Sequence, residues 1–374
     1  MRIVFNDQIF ATQVFGGISR YYASLNTHLS KIDDVESIII SPLYVNSYLK
    51  KEKNIRISGI AIPQVKYTGR IRNKITPLVN KFLSPYLINS FDPNIVHQTY
   101  YAKNAYAPKE SKRVVTVFDM IHERYRKLYT SGNILTETKK QVVSRADHVI
   151  CISNNTRKDL IEFFNTPEEK ISVVHLGYEI NIDNHIINST VDSLLNSKKP
   201  YLLFIGNRGD YKNFRKLLDA YAKADQLRKN FNLVCFGGGK FNNNEASLFH
   251  LYGLDKSNII YISGNDDILA SVYKNAEAYI CPSLYEGFGI TLLESMSFNC
   301  PVICSNTSSI PEVVGDAGEY FDPEDIESII SAIENVVFSA SRKSELIRKG
   351  IKRKANFSWE KCAKYTHEIY KSIL

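Results

Sequence analysis

The sequence predicts an α/β protein made of two doubly wound domains, and three observations carry that expectation. The chain has 374 residues, more than one hydrophobic core usually organises. Short apolar runs alternate along it with stretches of helical spacing. Several of those runs end in glycine loops that lead straight into a helix. A composition of 44% hydrophobic and 23% charged residues is ordinary for a soluble globular protein, and no low-complexity tract or repeat interrupts it. No apolar run reaches the roughly 18 residues of a membrane span, and the N-terminal MRIVFND enters a strand pattern instead of a signal peptide. A cytoplasmic protein is expected.

Met1 to Phe5 reads as the first strand. Gly16 and Gly17 then turn into a helix marked by Ile18, Tyr21, Tyr22 and Leu25. The loop lacks the G-x-G-x-x-G order of a dinucleotide site, so it gives little support to NAD binding. Ser37 to Ser41 supplies another strand. Between Lys50 and Lys81 lie nine basic residues and one acid, Glu52, while Ile71, Ile75, Leu78, Val79 and Phe82 share a helical face that Pro77 is expected to cut or bend. Such a segment fits an anionic membrane surface. It fits a solvated helix covering the sheet equally well.

Asn94 to His97 and Arg113 to Phe118 read as buried parallel strands. Asp119, His122 and Glu123 follow the second, at the strand end where open α/β sheets bind ligands. Asp119 or His122 is expected to hold a ligand hydroxyl, and one of them to take its proton; both also suit a structural polar cap. Lys139 to Ser153 reads as helix, strand and serine turn, with Ser153 and Asn154 as candidate helix caps. Ile171 to Glu179 holds the last strand of this half. The polar stretch at 181–199 is the expected linker, separating a first domain, 1–180, from a second domain, 200–356.

In the second half, Tyr201 to Gly206 is a strand closed by glycine. Arg208 and Lys212 follow, four positions apart, and two cations there suit either a pyrophosphate or a plain surface charge run. LVCFGGG carries the next strand into Gly237. With Lys240 it misses the P-loop order, which argues against ATP hydrolysis. Ile259 to Ile262 precedes SGNDD, which contains Asn265. Asp266 and Asp267 are adjacent and no Asp-x-Asp occurs, so no metal is expected to bridge a diphosphate. Ala278 to Cys281 is a strand, and after it come Glu286, Gly287, Phe288 and Gly289. A helix then starts at Ile290, and Pro301 to Cys304 is a further strand.

A helix opening from a glycine loop aims unpaired N–H groups and its positive end at the loop, which suits phosphate. Glu286 and Glu294, eight positions apart, flank that point and suit a sugar and vicinal hydroxyls; they equally fit a βαβ unit with solvated glutamates. Helices are expected over Ile326 to Phe338, Ser341 to Arg353 and the terminal FSWEKCAKYTHEIYKSIL. Six cysteines sit in apolar patterns without zinc-like spacing, so buried free thiols are expected. A net charge of +8 fits phosphorylated ligands, anionic lipid or nucleic acid alike. With no RNA-reading motif, nucleic acid is disfavoured.

The stretch AYICPSLYEGFGITLLESMSFNCPVICS, continuing through SNTSSIPEVVGDAGEYFDPED, resembles the Glu-x7-Glu region of the retaining glycosyltransferases of family 4. That resemblance implies the GT-B fold, two Rossmann-like domains facing across a cleft, with the last helix, 357–374, crossing back to the first domain. It implies that Gly206, Arg208 and Lys212 serve a phosphate site, that Gly237 and the loop of Asn265 lie at the nucleotide, and that Gly16 and Gly17 lie near donor phosphate and acceptor. Glu294 is then expected on the ribose. Glu286, with Gly287, Phe288, Gly289 and Ile290, is expected on the sugar and diphosphate. Phe118 stands where the family often has His, which puts any transfer of a His role in doubt. The implied reaction moves a hexose from a nucleotide sugar to a glycan or lipid-linked acceptor, with no metal cofactor. Overall likeness to mannosyltransferases of bacterial surface polysaccharide points to GDP-mannose, with UDP-hexoses next. A nucleotide-sugar 2-epimerase and a non-catalytic carbohydrate- or lipid-binding protein remain alternatives.

Overall fold

A computed structural model of the chain describes residues 1–51, 55–63, 69–128, 132–179, 199–254 and 257–374. It divides into two compact units, one formed by Met1–Gly177 with Phe357–Leu374 and the other by Tyr178–Asn356. The expected linker, 181–199, lies almost wholly outside the described residues.

The first unit holds a seven-stranded parallel sheet. Its strands are β1 (Arg2–Phe5), β2 (Glu36–Tyr44), β3 (Ile57–Ala61), β4 (Ile95–Gln98), β5 (Lys112–Val117), β6 (His148–Cys151) and β7 (Ile171–Val173), in the spatial order β3-β2-β1-β4-β5-β6-β7. These are short, mostly buried runs of Val and Ile, as a parallel sheet covered on both faces requires. The terminal helix Trp359–Ile373 belongs to this unit, packing Trp359, Cys362, Ala363 and Tyr370 into the core with Phe5, Tyr21 and Tyr22.

The second unit repeats the plan with six strands: β8 (Tyr201–Ile205), β9 (Asn232–Phe236), β10 (Ile259–Ile262), β11 (Ala278–Cys281), β12 (Val302–Ser305) and β13 (Gly318–Phe321). Their order is β10-β9-β8-β11-β12-β13. In both sheets the sequential order reverses at the first strand, between β1 and β4 and between β8 and β11. Neighbouring loops diverge there and leave a crevice at the carboxyl ends of the strands.

The helix Gly69–Phe91 is not cut at Pro77, because it runs through both Pro77 and Pro85. Tertiary bonds hold it: Asn80 is clamped to β2, donating to the Leu43 carbonyl at 3.0 Å and accepting from the Leu43 N–H at 2.8 Å. Nor does its apolar stripe cover the sheet. Thr76, Asn80, Ser84 and Ile88 are buried, Ile88 at the far end against Val4, Ile38 and Val96 of the sheet, while Ile75, Leu78, Phe82 and Tyr86 are 48%, 56%, 70% and 74% exposed. The expected basic segment falls partly outside the described residues, at 52–54 and 64–68. All six cysteines are buried free thiols. Among the described residues no helix is long and apolar enough to cross a membrane.

Candidate active site

The reversal between β8 and β11 brings together the two loops that the motifs single out. Leu284 in the loop after β11 donates its N–H to the Tyr211 carbonyl in the loop after β8, at 2.8 Å. Across this bond Lys212 Nζ donates to Glu286 Oε1 at 2.7 Å, with 18% and 12% of the two side chains exposed. Burial works against the charge on Lys212, but the Glu286 carboxylate outweighs it and raises the ammonium above its usual range. A fixed cation thus stands beside the glycine loop. Ser283 Oγ also donates to Glu286 Oε1, at 2.6 Å.

Serines hold the backbone of that loop. Ser308 Oγ accepts the Glu286 N–H at 2.8 Å, and Ser309 Oγ lies 2.8 Å from the Glu286 carbonyl and 3.1 Å from that of Phe288. Gly289 then sits at φ +96, where a Cβ would lie 2.6 Å from Leu292 Cδ1, so the entry to the helix Ile290–Ser297 needs glycine. Glu294, one turn in, is buried and accepts from the Tyr273 hydroxyl at 3.1 Å. The nearby Cys281 thiol is pushed up to about 11, first by burial and then by the Glu286 charge. Neither the serines nor Tyr273 stood out in the sequence, since loop serines follow no periodicity.

Arg208 corrects an expectation. The sequence paired it with Lys212 around one anion, but its guanidinium is 5% exposed and turned to the turn after β9. It donates to the carbonyls of Gly237, Gly239 and Lys240 at 3.1, 2.9 and 3.2 Å, pairs with Glu245, and lies 4.8 Å from the Phe241 ring centroid. A strand end with three successive left-handed glycines, Gly237 to Gly239, exposes carbonyls that need a fork of donors. Gly238 also packs on Gly206, where a Cβ would lie 2.4 Å from the Gly206 carbonyl. Asn265 caps the helix Asp266–Lys274, accepting the Ile268 N–H at 3.2 Å.

In the first unit, Gly16 precedes the helix Gly17–Leu29, and a Cβ on Gly17 would meet nothing within 4 Å. Asp119 follows β5, accepting the Ile121 N–H at 3.1 Å, and His122 lies on the short helix Ile121–Arg124. A buried lysine ties Asp119 to that helix: Lys139 Nζ donates to the Asp119 carbonyl at 3.0 Å and to Glu123 at 2.8 Å. Phe118 packs edge-on against Tyr21 at 5.2 Å, in the core instead of the loop.

Two reversed parallel sheets, the second with a cation and a glycine-fed helix at its reversal, define a GT-B transferase. Residues 15–181 match the model described as Glycosyltransferase Family 4, and residues 187–353 match Glycosyl transferases group 1. The O-antigen chain mannosyltransferase B of Escherichia coli is 30% identical over 290 residues, covering 73% of this chain and 74% of that protein. The O-antigen chain mannosyltransferase RfbU of Salmonella typhimurium is 24% identical over 86% of this chain and 87% of its own length. Among solved structures, sucrose-phosphate synthase from Thermosynechococcus elongatus gives a TM-score of 0.76 at 17% identity, covering 100% of this chain and 98% of its own. HepE from Anabaena, in complex with UDP and glucose, gives 0.72 at 15% identity with both chains fully covered. The chain belongs to the family 4 glycosyltransferases.

Proposed function

We propose that the protein transfers a hexose, with retention, from a nucleotide sugar to a hydroxyl of a glycan or lipid-linked acceptor in the synthesis of bacterial O-antigen or related surface polysaccharide. The observation that carries this reading is Lys212 held on Glu286 beside the Gly289-fed start of the helix Ile290–Ser297. A departing diphosphate needs positive charge fixed in advance, and an ammonium with a helix N-terminus supplies it without reorganisation. Glu286 with the backbone of Gly287, Phe288 and Gly289 is assigned to the sugar, Glu294 to the ribose, and the loop of Asn265 to the base. Arg208 contributes by fixing the turn from Gly237 to Lys240, which packs on Gly206. In the step itself the acceptor oxygen bonds to the anomeric carbon on the face from which the diphosphate leaves. The breaking C–O pair stays on the phosphate oxygen. The acceptor's proton goes to that oxygen or to Asp119 or His122, the residues assigned with Gly16 and Gly17 to the acceptor.

Mannosyltransferase relatives favour GDP-mannose, with UDP-hexoses as the other donors to try. The reaction is proposed to need no metal, the charge being met by Lys212 and the helix. An anionic lipid surface at the inner face of the cytoplasmic membrane is the proposed partner of the helix Gly69–Phe91, whose apolar residues face outward in a segment rich in basic residues.

Thermal-shift screening with GDP-, UDP-, ADP- and dTDP-sugars, followed by mass spectrometry of products with and without EDTA, tests the reading. GDP-mannose is expected to stabilise most, and chelation to leave turnover unchanged. Lys212→Ala should lower kcat by about 10²–10³-fold, the loss typical of one fixed charge-stabilising group, and Arg208→Ala should also raise the donor KM. Wild-type turnover in both variants overturns the assignment, and epimer formed without acceptor points to a 2-epimerase.

A further inference from the structure

The first unit has its own reversal of strand order, between β1 and β4, and a cavity of about 620 Å³ opens there. Its walls come from the loops after those two strands, which carry Asp7 and Gln8 on one side and Tyr100 to Tyr106 on the other. Asn80 and Ser84 on the inward face of the helix Gly69–Phe91 close it. Open α/β sheets take ligands at such a point. Gly16, Gly17, Asp119 and His122 do not line the cavity. Tyr100 and Tyr101 nevertheless border Asp119: burial first, and then its carboxylate, raises both phenols.

The wall carries polar groups that the fold does not use. Gln8 Oε1 and Ser84 Oγ are buried without a hydrogen-bond partner, which native structures rarely leave unexplained. Both residues line the cavity. The Asp7 carboxylate makes no capping bond to the helix Gln8–Thr12 that it precedes; it is bonded by the Asn80 and Gln8 side chains, from Gln8 Nε2 at 3.1 Å. The rings of Tyr100 and Tyr101, 5.0 Å apart, add an aromatic wall. Aromatic faces beside an amide, a hydroxyl and a carboxylate suit a pyranose, which has apolar C–H faces and a rim of hydroxyls.

We propose that this cavity is a subsite for a neutral hexopyranose unit of the acceptor, with Gln8, Ser84 and Asp7 on its hydroxyls and Tyr100 against its ring. The assignment rests on the reading of the chain as a transferase to a glycan acceptor.

Saturation-transfer NMR on the full-length protein tests it, with α-mannobioses and methyl α-hexopyranosides at millimolar concentration as probes and GDP-mannose and UDP-hexoses recorded alongside. At least one saccharide is expected to give a signal in the wild type that falls fivefold or more in Gln8→Leu and Tyr100→Leu and persists in Tyr100→Phe. Donor signals and unfolding midpoints should stay unchanged in all three. Saccharide signals absent from the wild type, equal in every variant, or displaced by inorganic phosphate overturn the subsite. Donor binding with no variant-sensitive saccharide signal sinks the subsite and leaves the transferase reading standing; saccharide binding with no donor binding does the reverse.

Discussion

Gly289 shows how much one residue decides at this site. Its φ of +96 lies where a side chain is strained, and the added methyl would also press on Leu292. Gly289→Ala is therefore expected to cost about 1–3 kcal/mol and to lower turnover, because the N–H groups at Ile290 lose their aim. Gly17→Ala is the contrast: open space surrounds that position, so its unfolding midpoint should match wild type. Paired thermal unfolding and rate measurements check both, and an unperturbed Gly289→Ala would show that the loop relaxes. Lys212, Glu286 and Gly289 were legible because a motif marks them. The destination of the Arg208 side chain was not, since its partner Glu245 lies 37 positions away and a sequence displays charges without showing which of them neutralise each other.

At the scale of elements, periodicity located most strands and helices. It could not orient the helix Gly69–Phe91. A helical stripe predicts that one face is apolar, and the usual inference sends that face inward. Here Asn80, bonded to both backbone groups of Leu43, turns the polar face inward. The same rotation puts Asn80 and Ser84 on the cavity beside Asp7, while Leu78 and Phe82 point to the outside. In the proposed reading, this one helix presents polar groups to the acceptor sugar and apolar groups to the lipid that carries it. Replacing both Leu78 and Phe82 with Ser removes apolar contacts from an exposed face, so folding should hold. Sedimentation with phosphatidylglycerol-containing vesicles should fall at least tenfold, at about 1.5–3 kcal/mol for each large apolar side chain lost from lipid. Equal sedimentation of variant and wild type rules out this helix as the contact.

For the whole molecule, the two halves read separately from the sequence because each sheet and each core is built from its own stretch of chain, except for the last helix. Tyr370 on that helix bonds Nδ1 of His97 at the end of β4, and His97 Nε2 meets Thr116 Oγ1 at 2.9 Å on β5, so residues far apart in sequence close one buried polar chain. No spacing rule foretells such a closure. Burial lowers the His97 pKa to about 3 from an ordinary 6.5. The sign follows from proton binding: above pH 6.5 the imidazole is neutral folded or unfolded and contributes no pH dependence. Between 6.5 and 3 only the unfolded chain takes the proton, so the stability of the first unit falls by about 1.4 kcal/mol per pH unit from this group. Burial lowers His148 and His367 as well, and they add to the trend. Trp359, the single tryptophan, lies in the same core as Tyr370 and reports on this unit by fluorescence. His97→Gln keeps an amide to bond Tyr370 and Thr116 but has nothing to titrate. Its tryptophan-detected unfolding midpoint should therefore start at or below the wild-type value at pH 7 and fall less steeply toward pH 5. Parallel slopes for the two proteins would place the acid sensitivity elsewhere.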